Sequence, residues 1–146
     1  MMKKILLSLT LILGYTNAYS QCTADQQYLN STYGIWPDTI QNLPLATVGE
    51  YYEAIIQLKT PSTVGEALDT AYYGYTTIVG EIDLTNQPID SIKLVDLDGL
   101  PNGMSLYFSE TDSVYNGNSV GCVTLYGTPT NSMIGHHDLM FALDGW

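Results

Sequence analysis

Asp96-x-Asp98-Gly99 places two carboxylates two residues apart, just before a glycine. That is the opening spacing of a calcium loop, in which hard oxygen ligands converge on the cation across a sharp turn. An EF-hand also needs an acid at its twelfth position, and that position is Tyr107. The competing reading is an ordinary turn at Asp98-Gly99. His136-His137 is the chain's one histidine pair. Neighbours on a strand point to opposite faces, so the two cannot close on one metal. His137 falls in phase with Leu139 and Phe141, which predicts a partly buried, hydrogen-bonded histidine. Zinc requires three or four ligands, and catalytic zinc is not expected here.

Other catalytic chemistry finds little support. The serines sit in turn-like contexts, unlike the nucleophile of a hydrolase elbow. Carboxylate pairs for glycoside hydrolysis are available in an acid-rich chain, but none sits in an apolar context that would raise its pKa. Gly99-x-x-x-Gly103 carries Pro101 where a phosphate-binding helix would begin. Aromatic side chains give the better binding signal. Trp36, Tyr51, Tyr72, Tyr73, Tyr75, Tyr107, Tyr115 and Tyr126 outnumber what two inner sheet faces need. Exposed aromatics can stack on sugar rings, and Trp36, Tyr73, Tyr75 and Tyr115 are the ligand-binding candidates. The alternative is cross-strand pairing on an outer face, which stabilises a sheet by roughly 0.2–1 kcal/mol per pair.

The elements that would position these groups read as β-strands. Tyr51–Lys59 alternates, with Tyr52, Ala54, Ile56 and Leu58 on one face and Glu53, Gln57 and Lys59 on the other. Thr63 and Glu66 match a capping box, which predicts a short helical turn after Thr63. Ala71–Leu84 is rich in β-formers and reads as one bulged strand. Ile89–Leu97 follows, with Ile92 and Leu94 directed at the core. The stretch Gly99–Thr130 has a turn at each end and two apolar runs, around Met104–Ser109 and Val120–Tyr126. It reads as two antiparallel strands joined by a polar, Gly-containing loop, Ser109–Ser119. His136–Asp144 closes the pattern. Pro37 makes Gly34–Asp38 an edge strand or a turn. About seven short strands with almost no helix predict an all-β, antiparallel sandwich.

At the amino end, Met1-Met2-Lys3-Lys4 precedes the apolar run Ile5–Gly14, too short to cross a bilayer. Ala18 and Ser20 then form a small-x-small cleavage site. Residues 1–20 are expected to be a signal peptide and 21–146 the domain; the alternative is a buried core helix. Gln21 before Cys22 argues against a lipid anchor. Without Lys3 and Lys4, Lys59 and Lys93 face fifteen acids, and there is no arginine. So acidic a surface repels phosphate backbones and anionic membranes, which excludes nucleic acid as a partner. Export also favours a disulfide between the two cysteines, Cys22 and Cys122, over two buried thiols.

Several motifs recur together: Cys22, Gly34-Ile35-Trp36-Pro37-Asp38, Asn42-Leu43-Pro44, Val48-Gly49, Ile89-Asp90-Ser91-Ile92, Gly99-Leu100-Pro101-x-Gly103, Gly121-Cys122, Gly127-Thr128-Pro129-Thr130 and Gly135. In this order they resemble secreted proteins of Gram-negative bacteria that use type IX secretion, with immunoglobulin-like or cadherin-like modules. The resemblance spans nearly all of 21–146 and implies an immunoglobulin-like sandwich in an extracellular or cell-surface setting. Cadherin-like modules can hold calcium between them, and the resemblance implies that Asp83, Asp90, Asp96 and Asp98 could contribute oxygens. The resemblance transfers no catalytic residue. Two departures stand out: the cysteine pair such proteins often place in the Phe108–Ser113 region is missing, which by comparison with them implies a mobile Ser109–Ser119 loop, and a sorting domain after the last strand is missing too. The expected function is a non-catalytic binding, adhesion or spacer module, with an extracellular protein or glycan as partner and with further domains in a longer chain. A carbohydrate-binding module and a small secreted hydrolase are the alternatives.

Overall fold

The computed structural model describes residues 22–68, 78–79 and 82–146. Tyr73 and Tyr75 lie outside the described residues, as does the amino-terminal segment 1–21. Among the described residues there are nine strands: β1 (Gly34–Trp36), β2 (Tyr52–Lys59), β3 (Ile78–Val79), β4 (Ile82–Asp83), β5 (Ser91–Asp98), β6 (Met104–Phe108), β7 (Val114–Asn116), β8 (Val120–Gly127) and β9 (Met140–Gly145). Sheet I has the order β1-β2-β8-β6, and sheet II the order β7-β5-β9; β3 and β4 pair only with each other. Every pairing is antiparallel. The chain is an all-β antiparallel sandwich.

The core follows from the period of two. Ala54, Ile56 and Leu58 of β2 are buried, while Glu53 and Ile55 are exposed. Ile56, Leu58, Val123 and Leu125 from sheet I meet Leu94 and Tyr115 from sheet II in one buried cluster. Strand β5 changes phase partway. Leu94 pairs with Leu143, but Asp96 pairs with Ala142, so Val95 is an extra residue that bulges out. The bulge lets Ile92, Leu94 and Leu97 all face inward and leaves Asp96 and Asp98 outside.

The segment 99–130 is more than a hairpin. β6 and β8 do pair, from Met104↔Gly127 to Phe108↔Val123. Between them the chain crosses to sheet II, where β7 pairs with β5. The expected mobile loop Ser109–Ser119 is thus anchored, since it contains a strand and a core residue. The turn at its start holds Asp112 and Ser113 at positive φ.

Three further expectations are corrected. The single strand expected over Ala71–Leu84 lies outside the described residues at 71–77 and 80–81, and its described parts, Ile78–Val79 and Ile82–Asp83, pair antiparallel with each other instead of forming one continuous strand. The last strand begins at Met140, not His136, because residues 134–139 pass as loop before pairing with β5. Lys59 was placed on the solvent face but is 5 % exposed, its stem lying along apolar surface and its Nζ donating to the Asn118 side chain. The helical turn after Thr63 is present as α1 (Val64–Ala67), with the Thr63 hydroxyl accepting from the Glu66 N–H.

Candidate functional site

β1 and β9 are the outermost strands of their sheets, and they border the same side of the sandwich. β1 is short and pairs only with Gln57–Lys59 of β2, because cis-Pro37 follows and cannot donate to a ladder. Among the described residues the two sheets are therefore open towards solvent along this side. The opening is an apolar cleft of about 300 Å³ that runs in from Ile35 and Leu143 to Leu58, Leu94 and Tyr115. It adjoins a larger depression of about 760 Å³ that shares Ile35, Phe141 and Leu143 and reaches Asp38, Asn42 and Asp138. Around the rim Leu143 is 53 % and Met140 68 % exposed. This groove is the strongest candidate for a binding site among the described residues.

One end of the groove carries a polar cluster around α1. The Glu66 carboxylate accepts from the Ser62 N–H and hydroxyl, each at 2.7 Å, and from the Tyr33 N–H at 3.4 Å. Burial pushes the Glu66 carboxyl up, but these hydrogen bonds and the charge of Lys59 outweigh it, holding the group below its usual range. Thr60 donates to the Asn116 carbonyl at 2.7 Å and accepts from the Ser119 N–H at 2.9 Å. These bonds close the β7–β8 turn onto the end of β2.

The aromatic candidates separate. Trp36 stacks on Tyr28 with ring centroids 4.2 Å apart, so one face of the indole is already covered. Tyr115 is not a surface platform: it is 1 % exposed. Its hydroxyl donates to the Cys122 carbonyl at 2.9 Å, and burial pushes its phenol up. The ring lies on Gly121, where a Cβ would come within 2.2 Å of a ring carbon. A large aromatic at this position needs a glycine opposite, and that pairing across the two sheets decides its inward rotamer.

Cys22 and Cys122 form a disulfide with a Cα–Cα distance of 6.0 Å and a separation of 100 residues. It ties the segment before a short 3₁₀ turn, Gln26–Asn30, to β8. Asp96 and Asp98 sit on the outer side of β5. Asp96 Oδ1 accepts from the Leu97 N–H at 2.8 Å. Asp83 Oδ1 accepts from the Thr85 N–H at 2.9 Å and from its hydroxyl. Both carboxylates are thus occupied by nearby backbone. Among the described residues no group of three or more His, Cys, Asp or Glu converges.

His137 was expected in phase with the strand and partly buried; it is exposed, in the loop before β9, with its Nε2 3.0 Å from the Met133 carbonyl. His136 Nε2 lies 2.9 Å from Asp138 Oδ1, both on the surface. Gly117-Asn118-Ser119-Val120-Gly121 has the Gly-x-Ser-x-Gly spacing of a hydrolase elbow. An elbow joins a strand to a helix, whereas this segment joins β7 to β8. Ser119 Oγ donates to the Asn116 carbonyl at 2.7 Å and has no histidine partner. The groove itself gave no sequence signal, because it arises from two strand edges far apart in the chain.

No described helix is long and apolar enough to cross a membrane. The chain matches no protein-family profile, no curated protein and no solved structure.

Proposed function

We propose that this chain is a non-catalytic binding module of a secreted or cell-surface protein, built on an immunoglobulin-like sandwich. The apolar groove between β1 and β9 carries this reading. Contiguous apolar surface rimmed by polar groups marks an interaction site more often than a packing defect. Here Ile35, Phe141 and Leu143 are shared by both parts of the groove, so it is continuous. Asp38, Asp138 and the excess of acids elsewhere supply the polar surround. Export is supported by the basic-then-apolar amino end and its small-x-small site, together with the Cys22–Cys122 bridge. A protein ligand is favoured over a glycan. Tyr115 is inside, and Trp36 already stacks on Tyr28.

The test is saturable binding of the labelled, oxidised domain to arrays of extracellular proteins and glycans. The expected result is saturation on at least one protein and on no glycan. Absence of saturable binding to every array element overturns the reading. Binding to glycans that is abolished by Trp36→Ala replaces it with the carbohydrate-binding alternative.

A further inference from the structure

The β9 edge has a second property besides its apolar flank. Trp146 and Ser91 exchange both backbone hydrogen bonds, Trp146 N–H to Ser91 O at 3.1 Å and Ser91 N–H to Trp146 O at 3.1 Å. In an antiparallel ladder such pairs alternate with pairs whose N–H and C=O point away. Counting back along β9, Asp144, Ala142 and Met140 turn their backbone groups towards β5. Phe141, Leu143 and Gly145 turn theirs outward, where sheet II has no further strand among the described residues. The same alternation directs the Phe141 and Leu143 side chains into the groove. One stretch of six residues therefore offers both main-chain donors and acceptors and apolar pockets at a period of two.

We infer that β9 is a docking edge for an extended peptide segment of a partner protein, with apolar side chains at alternate positions and basic residues flanking them. An added strand pairs with Phe141, Leu143 and Gly145 and sends every second side chain between the sheets, against Ile35 and Leu58. β9 contains no lysine and no proline, two of the residues that blunt an edge, and its one charged side chain is Asp144. The charge selects the partner. Asp38 and Asp138 stand at the groove, and the chain as a whole carries a net charge of −11. A basic segment gains from this field, whereas a second copy of this chain would bring acids against acids. The inference rests on the binding-module reading and names the form of its partner.

Backbone amide hydrogen exchange tests it. The probe is a capped peptide, Lys-Val-Thr-Val-Thr-Val-Lys, with the same sequence flanked by Glu as comparison. With the basic peptide, exchange at the Phe141, Leu143 and Gly145 amides slows at least tenfold, while Ala142 and Asp144 stay as protected as before. The Glu-flanked peptide gives weaker protection, and Leu143→Pro abolishes the effect. The Leu143 N–H points away from β5, so proline there removes no ladder bond within the sheet. Unchanged exchange at saturating peptide overturns the inference. So does equal protection by both peptides, protection that grows with protein concentration alone (a second copy), or protection already complete in the dilute free domain. If Leu143→Pro leaves array binding intact, the docking edge fails and the binding-module reading stands. If the array shows nothing yet the peptide protects β9, the converse holds.

Discussion

The Tyr115 hydroxyl donates to the Cys122 carbonyl across the sandwich, so one side chain of sheet II is fastened to an inner strand of sheet I. The Cys122 carbonyl also accepts from the Ser109 N–H at 3.0 Å, and removing the phenol oxygen would not leave it unpaired. Tyr115→Phe therefore costs only about 0.5–1 kcal/mol, the lower part of the range for a net hydrogen bond. Tyr115→Ala removes the ring as well and costs about 3–5 kcal/mol. Urea denaturation of the two variants measures the difference. Tyr115→Ala no more destabilised than Tyr115→Phe would contradict the core position of the ring. Burial raises the phenol's pKa, so this residue's contribution is complete below its ordinary value of 10.0 and is lost as pH rises through the higher folded value. Tyr115→Phe should remove that alkaline loss.

The partner of that ring is Gly121. A Cβ there would lie 2.2 Å from one ring carbon and 3.3 Å from a Leu58 methyl. Gly121→Ala is expected to destabilise by about 1–3 kcal/mol through overpacking. Combining it with Tyr115→Leu should recover part of the loss, because the smaller side chain vacates the space. Strictly additive losses in that double-mutant cycle would show that the two positions do not touch.

Part of this architecture is written plainly in the sequence, and part is not. Ala54, Ile56 and Leu58 alternate with polar residues, and β2 forms where that pattern lies. Lys59 breaks the pattern only because its stem follows apolar surface to Asn118, which composition does not reveal. β7 was unreadable as a strand: Val114–Asn116 is short and runs straight into Gly117-Asn118, which reads as a turn. Tyr115 was misassigned for the same reason, since it stands in a short stretch that reads as a turn and its packing surface is a glycine six residues away. His136 and His137 looked like the start of β9, yet their ring nitrogens are engaged by Asp138 and by the Met133 carbonyl within the loop. The Cys22–Cys122 pairing followed from a count of two cysteines in a chain whose amino end reads as an export signal. The groove depends on where β1 stops, and no local pattern encodes an edge that is left open.

Reduction of the disulfide should lower stability substantially. The chain-entropy account values a loop of about 100 residues at about 4.7 kcal/mol. Cys22→Ser with Cys122→Ser, compared with the oxidised protein by urea denaturation, should lose about 2–5 kcal/mol. Free-thiol titration of the unfolded, unreduced protein should find none. Two titratable thiols would remove the bridge.

Glu66 should give the domain an acid-sensitive component. Its folded pKa is depressed, so the stability it contributes is present above its ordinary value of 4.5 and is lost as pH falls through the lower folded value. Glu66→Gln should lower the Tm at pH 7 by a few degrees. That deficit should shrink as the pH drops below about 4, where the wild-type carboxyl becomes neutral too. A deficit that is constant from pH 7 to pH 3 would assign the effect to packing instead of charge.

Cys22 is bonded to β8, and 100 positions separate the two cysteines. A pull applied through the chain on either side of the domain would travel across the sulfur bridge and bypass everything from Thr23 to Gly121. The segment beyond Cys122 would bear the load alone, and it ends in β9, which peels from β5 one pair at a time, starting at the Trp146–Ser91 pair. The domain would yield under tension first at the very edge that faces the groove, while Thr23–Gly121 stays covalently shielded from extension.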